Sequence, residues 1–405
     1  MVRTASFMLL GSALLAAICA PASAGIYGTN PIPISVGPNG EPANGPSGGP
    51  AFSGDNRRAR LVGFHSEASN LVSGDLNQAP DVFVWFRPQG SLGLLLPRPV
   101  GRVERVSVAG ANGEANGASI NPSVDGSVER APHCVAFQSQ ATNLSAADGD
   151  PAWDVYVRDL RRNRTILVSR SIGPDATQPA IDGSCRQVAF QAGSRVYVAN
   201  VSRGRPRSLG RGANPDVSLD GTAIVWERGS SVVIRRRGRT ATVARGQNPR
   251  VSDFEARVWG VMFDTRSRLV RGDTSSQPDV YTRQIRSSGR ARRTDLVSAT
   301  RRGGRRLPGS SGSGDITAFG TNRGFLTWVT TGSGRSTFWY RNNNSGRIDD
   351  LAVAPASSEP SIFDAVTSAR GNFVAYTSTA EQGRFDRNGA VQDVFVKHLG
   401  QGDRL

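Results

Sequence analysis

Four segments of this chain are copies of one another, and that repetition constrains its fold more than any other property. Ala68–Val84 (ASNLVSGDLNQAPDVFV) matches Ala141–Val157 (ATNLSAADGDPAWDVYV). A third copy spans Ser267–Tyr281, and a fourth ends as Asp386–Val396. A short β-rich run lies before each copy and recurs elsewhere without the long loop. The series is Val62-Gly-Phe64, Val135-Ala-Phe137, Val188-Ala-Phe190, Ile224-Val-Trp226, Val261-Met-Phe263, Leu326-Thr-Trp328 and Val374-Ala-Tyr376. Partner runs follow at 81–85, 154–158, 195–199, 231–235, 279–283, 336–340 and 393–397. Alternating β-branched and aromatic residues between Gly, Asp and Asn turns predict antiparallel strands. No stretch carries a capped helical period.

Seven repeats of a four-stranded unit predict an all-β chain arranged as a β-propeller, which protects its sheet edges by closing into a ring. Seven blades fit the count, with six as the alternative. The strand Arg105–Val108 and its Gly110–Gly117 turn have a counterpart in Pro33–Val36 and Gly37–Gly45. The last repeat has little room for an outer strand of its own. Residues 32–36 are therefore expected to complete it and latch the ring.

The turn-strand units Pro122–Gly126 (PSVDG), Pro179–Gly183 (PAIDG) and Pro215–Gly221 (PDVSLDG) precede three of these runs. They resemble the WD40-like repeat of TolB-type propellers of exported bacterial proteins. The resemblance spans nearly all of residues 25–405 and implies a single propeller domain. It implies no particular function, because such rings serve many roles. TolB's separate N-terminal domain has no counterpart here, and TolB-type rings often have six blades.

Residues 1–24 combine Arg3, an apolar run from Phe7 to Cys19 and an Ala22-Ser-Ala24 end. This is the pattern of a cleaved signal peptide, so the chain is expected outside the cytoplasm, in the periplasm, envelope or medium. No later segment is apolar enough to span a bilayer. Cys134 and Cys185 then remain as an even pair in an oxidising compartment, either bridged across neighbouring repeats or separately buried.

The long loops place oxygen side chains at alternate positions: Asp75, Asn77 and Asp81; Asp148, Asp150 and Asp154; Asp273, Ser275 and Asp279; Asp386, Asn388 and Asp393. Such spacing suits a hard cation, making these the candidate Ca²⁺ ligands, with the second set the best placed. No EF-hand pattern is present, and the competing reading is Asx-turns that cap the following strand. No other cofactor is indicated.

Enzyme signatures are sparse. His65, His133 and His398 form no zinc motif, and no Gly-x-Ser-x-Gly elbow occurs. Gly312-Ser-Gly314 is assigned to a loop, and Asp349-Asp350 is a carboxylate pair that could sit in a cleft. A non-catalytic binding or scaffold module is the favoured class. A lyase or hydrolase acting on sugar polymers at the central channel is the alternative.

The formal net charge is +16, and all but one of the 49 basic residues are arginine. Between Arg203 and Arg306 stand 24 arginines against nine acidic residues. The remainder is near neutral. The candidate anion-binding patch is Arg203, Arg205, Arg207, Arg235, Arg236, Arg237, Arg239, Arg290, Arg292 and Arg293, near the turns between third and outer strands. A field of this kind attracts polyanions. The expected partner of this monomer is a protein or an anionic envelope polymer. Nucleic acid is disfavoured because the arginine runs lack interleaved aromatics. The competing reading is compositional bias on a solvated surface.

Overall fold

The computed structural model describes residues 31–399 except 56–58, 89–100, 111–112, 128, 174, 256–257, 301–303, 318–324, 333–334, 344–345, 354–361 and 381–385. The proposed signal peptide lies outside the described residues. Seven four-stranded antiparallel sheets form a propeller. In each, strand a lines the axis and strand d lies outermost, because the a strands of successive blades touch around the ring.

Blade 1 comprises Ser47–Phe52, Leu61–Ser66, Asp81–Phe86 and Arg102–Arg105; blade 2, Ser119–Val124, Cys134–Ser139, Asp154–Asp159 and Arg164–Leu167. Blade 3 comprises Ala176–Ile181, Gln187–Ala192, Arg195–Asn200 and Arg207–Arg211; blade 4, Ala213–Val217, Ala223–Arg228, Ser231–Arg236 and Arg239–Arg245. Blade 5 comprises Gln247–Glu255, Val258–Thr265, Asp279–Arg286 and Ala291–Leu296; blade 6, Ser310–Thr317, Phe325–Gly332, Arg335–Asn342 and Arg347–Val353. Blade 7 has Ile362–Thr367, Phe373–Ser378 and Asp393–His398, and its strand d is Ile32–Pro33 from the other end of the chain. Ile32 pairs with Val396 and Pro33 with Phe395, as the matching turn sequences predicted. No helix of the described residues is long and apolar enough to cross a membrane.

In six of the seven blades the aromatic residue that ends the β-rich run stacks on its strand c partner, while Trp226 of blade 4 faces Val233. Phe64–Phe83, Phe137–Tyr156, Phe190–Tyr197, Phe263–Tyr281, Trp328–Trp339 and Tyr376–Phe395 have ring centroids 5.6–6.3 Å apart. Each such pair contributes about 0.5–1.5 kcal/mol beyond the area it buries. The core is not central but layered between blades. One layer joins Val82 and Val84 of blade 1 to Val135, Phe137 and Tyr156 of blade 2.

Paired asparagines grip neighbouring blades on the face carrying the d–a and b–c connections. Asn44 Oδ1 accepts from Ser69 N (2.9 Å), while Asn70 Nδ2 donates to Pro42 O (2.8 Å). Asn116 and Asn143 repeat the arrangement one blade on, with Thr142 N and Glu114 O. These contacts account for the matching Gly37–Gly45 and Gly110–Gly117 turns. Cys134, opening strand b of blade 2, is bridged to Cys185 in the a–b turn of blade 3, with Cα atoms 5.9 Å apart.

Two sequence assignments change. Gly312 and Gly314 lie in strand a of blade 6, not in a loop. A Cβ on Gly314 would fall 2.4 Å from the Met262 methyl, so the close approach of blade 5 explains this glycine. Asp349 and Asp350 sit on strand d of blade 6, opposite Tyr340 and Trp339, and line no cleft at the axis.

Candidate functional site

The axial channel, of about 520 Å³, is lined by the a strands and, at one end, by a–b turn residues such as Gly54 and Leu219. Strand a has one unpaired edge, which tolerates proline. It carries a recurring two-residue signature: Gly49-Pro50, Asn121-Pro122, Gln178-Pro179, Asn214-Pro215 and Asn248-Pro249, with Asp364-Ala365 in blade 7. The first residue of each pair has positive φ, between 49° and 60°, inside a register shift of the a–b ladder. These are β-bulges, and Asn adopts the left-handed conformation more readily than most residues. The bulges are tied blade to blade. Gln138 Oε1 accepts from Asn121 Nδ2 (2.9 Å) and Gln178 N (2.8 Å); Glu227 Oε1 accepts from Asn214 Nδ2 (2.6 Å) and Asn248 N (2.7 Å).

At its a–b end the channel narrows where the turns of blades 1–4 meet. Gly54 N donates to Asp125 O, Gly126 N to Gly183 O and Gly183 N to Leu219 O. A Cβ on Gly54 or Gly183 would lie 2.3 Å from Gly126 O, so both positions require glycine.

Asp216, Asp315 and Asp364 line the channel together with Arg250. Asp216 Oδ2 accepts from Val251 N (2.7 Å), and Asp315 accepts from Ile316 N (2.9 Å) and Thr367 N (3.0 Å). Burial pushes Asp216 up to about 6, against the pull of Arg250. These carboxylates thus stitch strands of adjacent blades, as Ser123 Oγ does in accepting from Ile181 N (3.1 Å).

A carboxyl pair lies where the a–b turn of blade 4, with Asp220, meets strand a of blade 5, with Asp253. Burial and the neighbouring Asp220 carboxylate raise Asp253 to about 7. Burial also disfavours the Asp220 anion, but hydrogen bonds from Ser218 and Thr222 hold its carboxyl below the ordinary range. Folded Asp253 keeps its proton well above the pH at which the unfolded residue loses it near 3.9. Its contribution to stability is therefore full below about pH 4 and falls as pH rises towards 7. Wild-type Tm is expected to drop between pH 5 and 8, with Asp253→Asn flattening that slope by about 3 °C. Melts at constant ionic strength check this, and an unchanged slope in the variant would assign the dependence elsewhere.

The aspartates that begin four c strands share one arrangement. Ser107, Ser169, Ser298 and Ser35 donate from Oγ to Asp81, Asp154, Asp279 and Asp393 respectively. Each serine oxygen also accepts the next backbone N–H, from Val82, Val155, Val280 and Val394 (3.0–3.2 Å). The remaining candidate metal ligands differ between loops. In blade 1, Arg105 Nη1 lies 3.5 Å from Asp75, 3.4 Å from Asp81 and 2.6 Å from Glu114, so a guanidinium already supplies the positive charge. Asn77 Nδ2 donates to Asp81 (3.0 Å), and Asn388 Nδ2 to Asp393 (2.8 Å). In blade 5, Arg306 Nε meets Asp279 at 2.5 Å, Tyr281 donates to Asp273, and Ser275 N donates to Asp273 Oδ1 (3.0 Å). Asp386 is buried in blade 7. Asp148, Asp150 and Asp154 of blade 2 each bring an oxygen within 4.8 Å of the others; Tyr156 donates to Asp148.

The arginines include two populations that composition cannot separate. One population, joined by Lys397, staples blades together from two residues after the stacked aromatic of strand c. Arg158 donates to Gly110 O (2.7 Å), Arg283 Nη1 to Val243 O (2.5 Å) and Lys397 Nζ to Leu351 O (3.1 Å). Arg341 donates to Leu296, Val297 and Ala299 carbonyls. In each case the acceptor follows or belongs to the outer strand of the preceding blade.

The other population is exposed on the c–d turns and outer strands of blades 3, 4 and 5. Arg203, Arg205 and Arg207 stand on the first, Arg237 and Arg239 on the second, and Arg286, Arg290, Arg292 and Arg293 on the third. Arg235 is half-buried and Arg236 is buried. Residues 200–211 and 231–246 contain no acidic residue, whereas Arg293 pairs with Asp295 at 2.7 Å. Sequence reasoning located this sector but missed the staples, whose only local signal is a cation after the strand c aromatic.

No protein-family model matches the sequence, and no characterised protein matches it by sequence. Solved structures do resemble it in fold. The β-propeller domain of the Trilobed protease from Pyrococcus furiosus, described as having an open velcro topology, matches at a TM-score of 0.50 and 10% identity, covering 89% of this chain and 99% of that one. Hydrazine synthase from Kuenenia stuttgartiensis matches at 0.45 and 12% identity, covering 83% and 93%. TolB from Acinetobacter baumannii matches at 0.38 and 13% identity, covering 70% and 80%. With seven four-stranded blades and a ring closed by its own N-terminal strand, the chain is a seven-bladed β-propeller.

Proposed function

We infer that the protein is a non-catalytic binding module that docks an anionic polymer against the arginine sector of blades 3–5, outside the cytoplasm. The observation that carries this reading is placement. Twenty-four arginines against nine acidic residues fall on three adjacent blades, and Arg203, Arg205, Arg207, Arg237, Arg239, Arg286 and Arg290 are exposed at or beside their c–d turns. Like charges held together on one sector repel, and a polyanion relieves that cost while its own counterions are released. The signal-like start and the Cys134–Cys185 bridge fit an oxidising compartment.

Retention on immobilised polyphosphate or polygalacturonate is expected to fall steeply with salt, with none on neutral dextran. Arg203→Ser/Arg205→Ser/Arg207→Ser with Arg237→Ser/Arg239→Ser should weaken it by about tenfold or more. Retention that ignores both salt and these substitutions would sink the reading. The channel carboxylates favour a second reading, an enzyme acting on sugar polymers. Its weakness is that Asp216 and Asp315 already accept backbone N–H groups of adjacent blades.

A further inference from the structure

Two ionisable side chains crowd the Cys134–Cys185 bridge. Asp125 lies in the a–b turn of blade 2, and His133 stands just before strand b of that blade. Each brings a ligand atom to the two sulfurs, and all four atoms lie within 4.8 Å of one another. Asp125 Oδ1 accepts from His133 N (2.7 Å) and Cys134 N (2.8 Å), which fixes the carboxylate. Its Oδ2 then faces His133 Nδ1 at 3.0 Å. Each of these two atoms is buried and lacks a hydrogen bond, so an oxygen and a ring nitrogen are left confronting one another beside the sulfurs. Such orphaned acceptors are costly unless a cation or a donor satisfies them. The opposing turn, in blade 3, is equally fixed. Asp182 Oδ1 accepts from Arg186 N (2.7 Å) and Gln187 N (3.0 Å), and Cys185 N donates to Asp182 O (3.2 Å). These bonds hold both turns without help from the disulfide.

We propose that Asp125, His133, Cys134 and Cys185 form a tetrahedral zinc site that the disulfide masks and reduction unmasks. Two thiolates, one imidazole and one carboxylate are donors that select Zn²⁺ over the hard cations Ca²⁺ and Mg²⁺. Zinc–sulfur bonds of about 2.3 Å and zinc–nitrogen or zinc–oxygen bonds of about 2.0–2.1 Å set neighbouring ligand atoms roughly 3.3–3.8 Å apart. The cluster reaches that spacing once the sulfurs part by side-chain rotation. Opening is a two-electron step. A dithiol reductant becomes a disulfide, and its two electrons and two protons pass to the sulfurs of Cys134 and Cys185. Zn²⁺ then displaces both thiol protons to solvent, and Asp125 Oδ2 and His133 Nδ1 gain the cation they lack. A disulfide oxidant reverses both steps, reforming the bridge and expelling the metal. The seam between blades 2 and 3 is thereby cross-linked in either state. Metal reaches it past His133, whose side chain is 14% exposed. The site owes nothing to the arginine sector.

The test uses the whole protein, reduced with dithiothreitol and freed of it by anaerobic gel filtration. Reduced wild type is expected to retain about one zinc per chain and the oxidised protein none, measured by atomic absorption. Cobalt in place of zinc should give a thiolate-to-metal charge-transfer band and the visible bands of tetrahedral Co²⁺, both absent from Cys134→Ser/Cys185→Ser. His133→Ala and Asp125→Asn should each weaken zinc binding by about tenfold or more, read by competition with a chromophoric chelator. Both variants keep the cysteines, so the melts of their oxidised forms report whether they fold. In chelator, reduced wild type should melt with the double serine variant, and zinc should raise that Tm by several degrees. This readout holds even where reduction alone loosens the fold. Reduced wild type that retains no zinc, or whose Tm zinc leaves unmoved, overturns the site. Equal uptake by the oxidised protein does so too. So does binding by reduced His133→Ala and Asp125→Asn as tight as that of wild type, which marks a two-thiol chelate alone.

Discussion

Arg341→Met is expected to lower the stability of the ring by about 3 kcal/mol, although it replaces a charged residue by an apolar one inside the protein. Two effects oppose each other. Arg341 is fully buried, and burial lowers its pKa to about 10, so removing the charge relieves a desolvation cost. Against this, its Nη atoms donate to Leu296 O (3.2 Å), Val297 O and Ala299 O (2.8 Å) at the end of the outer strand of blade 5. Methionine leaves those carbonyls without that donor, at about 1–3 kcal/mol for each buried one. Three acceptors outweigh one guanidinium, which also stands 5.4 Å from the Trp328 ring. Arg341→Lys, imitating Lys397 of blade 7, should recover roughly half of the loss. Guanidinium unfolding checks this through a lower midpoint at constant m-value. An unchanged or higher midpoint would show that the charge costs more than its bonds return.

Removing the interblade disulfide should have an effect of similar size from the other side of the equilibrium. Cys134 and Cys185 are 51 residues apart, so the bridge restricts a long loop of the unfolded chain. Chain-entropy arithmetic gives about 4 kcal/mol for such a loop. Cys134→Ser/Cys185→Ser is therefore expected to melt several degrees below the oxidised wild type. Reductant should bring the wild type down to about the variant's Tm while leaving the variant unmoved. If the wild type melts identically with and without reductant, the bridge does not form or does not stabilise.

The b and c strands were legible because they carry β-branched and apolar residues, in most cases around an aromatic such as Phe137 facing Tyr156. Strand a was not. Sequences such as SGGPAF, SINPSV and ANPDV lack that alternation, since one edge faces the channel and a bulge interrupts the period. The acidic loops were visible as a pattern, but their serine partners were not. Asp81 finds Ser107 across 26 residues and Asp393 finds Ser35 across 358, distances at which spacing carries no information. The arginine sector was legible as a count. What remained hidden was direction: Arg235 and Arg236 are adjacent in sequence, yet only Arg236 is buried against the next blade.

The seam of blade 7 governs when this molecule can become itself. Its outer strand waits at residues 32–33 for partners at 395–396, and Ser35 for Asp393. A chain emerging from its amino end can stack blade upon blade, but the ring stays open until residues 393–396 are available. Contacts this distant form slowly, and an open stack exposes the unpaired faces of its first and last blades.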